Sequence, residues 1–210
     1  MMKSKFIYFY RILLFILAFM GVYLEFKKGG AGMILYYTVL SNLLVLVFVG
    51  YLLYLMSRGR EDWHSTKMLR IKGGVAMSIL ITFVVYHVML RPIADPSKFW
   101  SLENMLCHYI VPIMFVLDTL LFDERGEYRK SEPFYWTSVP LIYMVVSLFN
   151  GVVTRIPVPD AKDSPFPYFF VNVDKYGWGF VAIHCLVIFF AYLAVGYLMF
   201  GIKMVGTQKK

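Results

Sequence analysis

Glu103-Asn104-Met105-Leu106-Cys107-His108-Tyr109-Ile110-Val111-Pro112 opens an apolar run that continues to Phe122. About 20 residues of helix cross the ~30 Å hydrocarbon core of a bilayer. The run from Leu102 to Phe122 is long enough to do so, and it places His108 within the apolar layer. Ionisable groups at such depth are costly and are kept where they have partners and work to do, so His108 is a candidate functional residue. Pro112 lacks the N–H that would reach the carbonyl of His108, four residues back. The helix is expected to weaken and bend one turn away from the histidine.

Five further runs have the same length and character: Phe6 to Phe26, Met33 to Met56, Leu69 to Leu90, Pro133 to Val153 and Trp178 to Val205. The alternating ten-residue pattern of a membrane β-barrel is absent, and helices are the other way to cross a bilayer. The expected fold is therefore all-α: residues 1–210 form one integral membrane bundle of six transmembrane helices. With 60% hydrophobic and 19% aromatic residues, the composition excludes an ordinary soluble domain. The net charge of +8 sits in short clusters between apolar runs, which reads as membrane topology and not as nucleic-acid binding. Cys107 and Cys185 both lie in apolar runs, so no disulfide framework is implied. Met1 to Lys5 and the run behind it resemble a signal peptide, but the run is too long, and it reads as a retained first span.

Lysine and arginine set the orientation. Most of the 21 cluster near the N-terminus, after Met56, after Phe122 and in the tail, so both termini are expected in the cytoplasm. Trp63 and Trp136 fall near the inner boundary, Trp100 and Trp178 near the outer one, as aromatic belts. Arg11 lies within the first span and is expected to snorkel to the inner interface. Lys27-Lys28-Gly29-Gly30-Ala31-Gly32 lacks the Lys-Ser/Thr of a P-loop and reads as a flexible turn. Asp123 to Glu132 reads as a charged connection. The long outer loop, residues 154–177, carries Pro157, Pro159, Pro165 and Pro167 and then Tyr168-Phe169-Phe170. Loops of this length are often functional, and this one is expected to cap the outer helix ends.

Depth filters the polar residues. At ~1.5 Å per helical residue, Thr38, His87, His108 and His184 all lie about 6–9 Å below the outer boundary, on four different helices. One shared polar pocket is expected from that agreement. Ser41 and Asn42 lie one turn after Thr38 and on its face. Asn104 lies one turn before His108, and Asn150 near the outer end of span five. Asp118 is ten residues past His108, ~15 Å deeper, and is expected to make a helix contact on the inner side. The histidines alone leave other readings open. Three of them could ligate zinc, or two could hold haem, and a channel or transporter would need a polar path through the inner half. Cys107 and Cys185 each adjoin a histidine, but neighbouring helical residues diverge by about 100°.

Tyr36-Tyr37-Thr38-Val39-Leu40-Ser41-Asn42 resembles the threonine motif of the androgen-induced membrane hydrolase family, which includes bacterial six-span members. Asn104 to His108, with Pro112 and Asp118 following, is similar to that family's histidine motif, and Pro167-Tyr168-Phe169 to its late aromatic-proline patch. The resemblance implies an intramembrane hydrolase of fatty acid esters of hydroxy fatty acids in the bacterial plasma membrane, with no cofactor. Thr38 would be the nucleophile and His108 the general base. Asn42 and Asn104 are the first oxyanion candidates, and Ser41, His87, His184 and Asn150 are further pocket candidates. Animal members carry an acidic residue three places after the threonine, where this chain has Ser41, so the group that orients the histidine is left open. The expected partners are a lipid ester and the surrounding membrane lipids, with no nucleic acid.

Overall fold

The computed structural model describes residues 2–161 and 164–205. Lys162, Asp163 and the basic tail, which contribute to the charge asymmetry, lie outside the described residues. Six helices are long and apolar enough to cross a membrane: α1 (Ser4–Leu35), α2 (Tyr37–Ser57), α3 (Thr66–Ile93), α4 (Leu102–Phe122), α5 (Glu132–Thr154) and α6 (Val173–Met204). No strand occurs among the described residues. The protein is a multi-pass, all-helical membrane protein.

Helices α1 to α4 pack side by side around a shared core of Leu14, Val45, Leu52, Ile79, Val111 and Phe115. Helices α5 and α6 meet that group through Trp136 and Tyr143 of α5 and Tyr192 and Met199 of α6. Elsewhere α5 and α6 expose apolar side chains such as Ile142, Val145, Phe149, Leu186, Val187 and Phe190. Such a surface is uncovered in water and solvated in lipid.

The boundaries differ from the sequence expectation in two places. The glycine-rich link is an ordered 3-10 helix, Gly30–Leu35, and α2 starts only at Tyr37. Helix α6 starts at Val173 and kinks at Gly177, whose φ of 77° suits glycine. Trp100 and Trp178 are exposed as belt residues should be, but Trp136 is buried and its indole N–H donates to the carbonyl of Arg70.

Arg11 does not snorkel. It is 0% exposed, and its Nε donates to Asp118 Oδ1 at 3.1 Å. Lys72, also 0% exposed, lies 2.6 Å from Asp118 Oδ2 and 2.5 Å from Asp123 Oδ1. Lys203 donates to the carbonyls of Thr119 and Asp123. Carboxylates within reach make burial of these cations tolerable where a lone cation would have to reach water. The segment after Phe122 is thus part of the packed core, with Asp123, Tyr128 and Glu132 buried. Asp118 makes a contact between helices, with Arg11 of α1 and Lys72 of α3, about three turns along α4 from His108.

The long loop lies docked over the end of the bundle opposite to this charged network. Asn150 Nδ2 donates to the carbonyls of Ile156 and Pro165. Tyr36 Oη donates to the carbonyl of Pro159 at 2.5 Å, and Lys28 pairs with Asp160 at 2.7 Å. Two glycines permit the close fit: a Cβ on Gly32 would lie 2.8 Å from Pro159, and one on Gly151 would fall within the Phe166 ring.

Candidate functional site

Helices α3, α4 and α5 each contain a π-turn toward the loop end: Tyr86–Leu90, Leu106–Ile110 and Asn150–Thr154. The turn in α4 is explained by Pro112. Val111 N–H bonds to the carbonyl of Leu106, five residues back, and so is not available to Cys107. Pro112, next in that register, has no N–H to offer. Asn42 of α2 supplies the missing donor, its Nδ2 lying 3.0 Å from the Cys107 carbonyl. The proline's effect is therefore met one residue before His108, through a bond between helices.

That bond ties α2 to α4 beside Thr38 and His108. Thr38 Oγ1 is 3.2 Å from His108 Nε2. His108 Nδ1 is 3.2 Å from the carbonyl oxygen of Asn104, which can only accept. In the neutral ring, then, Nδ1 carries the hydrogen and Nε2 presents its lone pair to the threonine hydroxyl. The Tyr86 ring stacks on the imidazole at 3.8 Å between centroids. The orienting group that Ser41 could not supply is a backbone carbonyl. Thr38 does not bond to its own helix because it is the second residue of α2, ahead of any full turn.

The threonine is fixed from several sides. Its carbonyl accepts from Asn42 Nδ2 at 2.8 Å and from Ser41 Oγ at 3.1 Å. Ser41 Oγ also lies 2.8 Å from Thr82 Oγ1. Thr38 N–H, one of the first amides of α2 with no acceptor inside the helix, points to Tyr168 Oη at 3.4 Å. Burial pushes the Tyr168 phenol above its usual range, so it stays protonated and able to donate. The sequence singled out Tyr168 only as part of an aromatic-proline patch. Its approach to Thr38 depends on loop docking, which residue spacing does not reveal.

Two cavities meet at Thr38. A polar cleft of about 360 Å³ is lined by Thr38, Asn104, His108 and Tyr168 together with charged residues of α1, α4 and the loops. A narrower apolar pocket of about 100 Å³ runs between α3, α5 and α6 past Ile81, Val85, Met144, Ile188 and Phe189. Thr38, Tyr86, Leu90 and Tyr168 line both.

The other sequence candidates are placed elsewhere or already engaged. Both Nδ2 hydrogens of Asn42 are used in the bonds above, so it is no free oxyanion donor. Ser41 is likewise a buried tether. Asn104 donates to the carbonyl of Phe99 and lends its own carbonyl to His108. Asn150 holds the loop. His87 is exposed and meets Tyr109 Oη at 3.1 Å. His184 donates through Nδ1 to the carbonyl of Phe180 and packs on that ring. Neither lines either cavity, so the pocket shared by all four helices contracts to Thr38 and His108. Equal depth placed the residues at one level but could not say which way they face. Among the described residues, no group of three or more His, Cys, Asp or Glu is gathered closely enough to hold a metal ion. Comparison with protein-family models, with curated proteins and with solved structures finds no match to this chain.

Proposed function

We propose that the protein is an intramembrane hydrolase of lipid esters, with Thr38 as nucleophile and His108 as general base. The observation that carries this reading is the Thr38 Oγ1 to His108 Nε2 contact, with the imidazole tautomer set from behind by the Asn104 carbonyl. A threonine hydroxyl needs an adjacent base to become a nucleophile. His108 Nε2 accepts the Thr38 proton as Oγ1 bonds to the ester carbonyl carbon. The negative charge moves to the carbonyl oxygen. The Tyr168 hydroxyl, whose oxygen accepts from the Thr38 N–H, is the donor for it, replacing Asn42 in that role. Collapse expels the alkoxide, which takes the proton back from His108, and leaves an acyl-threonine. Water from the polar cleft repeats the sequence in reverse roles and releases the acid.

The two cavities suit an amphiphilic ester, with its acyl chain in the apolar pocket and its alcohol half in the cleft. The lysine and arginine distribution supports an orientation with both termini in the cytoplasm and the dyad toward the outer face, and the resemblance noted above points to a bacterial plasma membrane. The resemblance noted above makes a fatty acid ester of a hydroxy fatty acid the first substrate to try. In detergent-purified protein, Thr38→Ala and His108→Ala each lower its turnover by about 10³-fold or more, with folding intact. Turnover that survives Thr38→Ala overturns the reading. A transporter reading would draw instead on the buried charges around Asp118, and flux through liposomes without hydrolysis would favour it.

A further inference from the structure

The mechanism does not say what kind of alcohol half the cleft accepts. Four carboxylates line it, those of Glu25, Asp95, Glu103 and Asp160, against the two ammonium groups of Lys28 and Lys98. Lys28 is already committed to Asp160. Glu25 lies one turn before Lys28 on α1 and is 6% exposed. Among the described residues it has no hydrogen bond and no direct ion pair, and it lines the cleft. Lys28 is the cation that acts on Glu25, but its ammonium is held by Asp160, so the Glu25 carboxylate faces the cleft with no cation in direct contact. Its position is understandable if a cation arrives from the cleft.

We propose that the polar cleft is a subsite for an alkylammonium group carried on the alcohol half of the ester, with Glu25 as its main counter-charge. This rests on the hydrolase reading for the word ester, but not for the binding itself. Glu103 adds a second carboxylate from α4 that acts on Glu25 from across the cleft. Tyr36 and Tyr86 border the same space, and aromatic faces attract quaternary ammonium groups. A free carboxylate on the alcohol half would meet Glu25 and Glu103 and be repelled. The subsite therefore favours a choline-like ester over the ester of a hydroxy fatty acid.

Binding can be read without catalysis. Hexadecyltrimethylammonium and hexadecyl sulfate are added to the full chain in nonionic detergent, and the shift in Tm is measured. The cation raises Tm in the wild type and in Thr38→Ala, does so weakly in Glu103→Gln, and fails to do so in Glu25→Gln; the anion gives no comparable shift. Equal shifts from both probes, or a cation shift unchanged in Glu25→Gln, overturn the proposal. Turnover supplies the second reading. The kcat/KM ratio of palmitoylcholine to monopalmitoylglycerol exceeds one and falls about tenfold in Glu25→Gln, the scale of one partly desolvated charge pair. Cation binding with no ester cleaved removes the hydrolase reading and keeps the subsite. Thr38-dependent turnover that is fastest on the hydroxy fatty acid ester does the reverse.

Discussion

At the scale of single residues, the site depends on groups whose importance is invisible in their own chemistry. Asn42 looked like an oxyanion donor because amides often are, yet it holds two backbone carbonyls, those of Thr38 and Cys107. Asn42→Leu leaves the Cys107 carbonyl without its donor, while the Thr38 carbonyl keeps Ser41, and is expected to destabilise the protein by about 1–3 kcal/mol, seen as a lower thermal midpoint in detergent. Tyr168 carries the opposite lesson. Tyr168→Phe keeps the ring that packs against Tyr36, Tyr143 and Phe170. It removes only the hydroxyl, so kcat for the ester is expected to fall by about 10²–10³ with KM little changed. An equal effect on KM alone would reassign the residue to substrate packing. Thr38 and His108 were legible in the sequence because a polar side chain in an apolar run stands out against its neighbours. Tyr168 was not, since it lies in a loop where tyrosine is ordinary and only tertiary docking brings it to the threonine.

At the scale of elements, α4 shows how one proline sets the aim of a histidine. Each added residue turns a helix by about 100°, so the extra residue in the π-turn decides which way His108 faces. Pro112→Ala restores an N–H and allows the regular helix to re-form. That variant is expected to lose turnover without losing thermal stability, and a measured activity equal to wild type would show that Pro112 does not set the register. The proline was visible in the sequence and its disruption of the helix was predictable. That the disruption would be a π-turn, satisfied by a side chain of another helix, was not, because it depends on what stands opposite. The loop over this end has its own clasp in Lys28 and Asp160. The hydrogen bond from Lys28 holds the Asp160 carboxyl below its usual range. A depressed folded value means that the contribution to docking is present at neutral pH and disappears as pH falls through it, below the usual carboxylate range. Protection of the amides around Pro159, taken relative to their intrinsic exchange rates, is expected to fall there, and to be low already at neutral pH in Lys28→Ala.

At the scale of the whole molecule, six spans and their approximate limits could be read from hydropathy alone, since the bilayer dictates their length. The charged network near Asp118 could not. Arg11 and Lys72 sit near predicted span ends, where snorkelling is the usual outcome, and only assembly of α1, α3 and α4 reveals that they share two carboxylates. Lys72→Met leaves Asp118 and Asp123 with one cation fewer in a fully buried setting and is expected to cost about 3–5 kcal/mol. Lys72→Met combined with Asp118→Asn recovers much of that loss, and thermal unfolding of the three proteins checks both statements. Thr38 belongs at once to a polar cleft and to an apolar pocket. On the proposed hydrolase reading, the enzyme works at a phase boundary and sorts its products, sending the alcohol toward water and the fatty acid back among the lipids. Its rate then follows the mole fraction of ester in the bilayer or micelle and not the bulk molarity. Adding inert detergent at constant total substrate slows it by surface dilution alone.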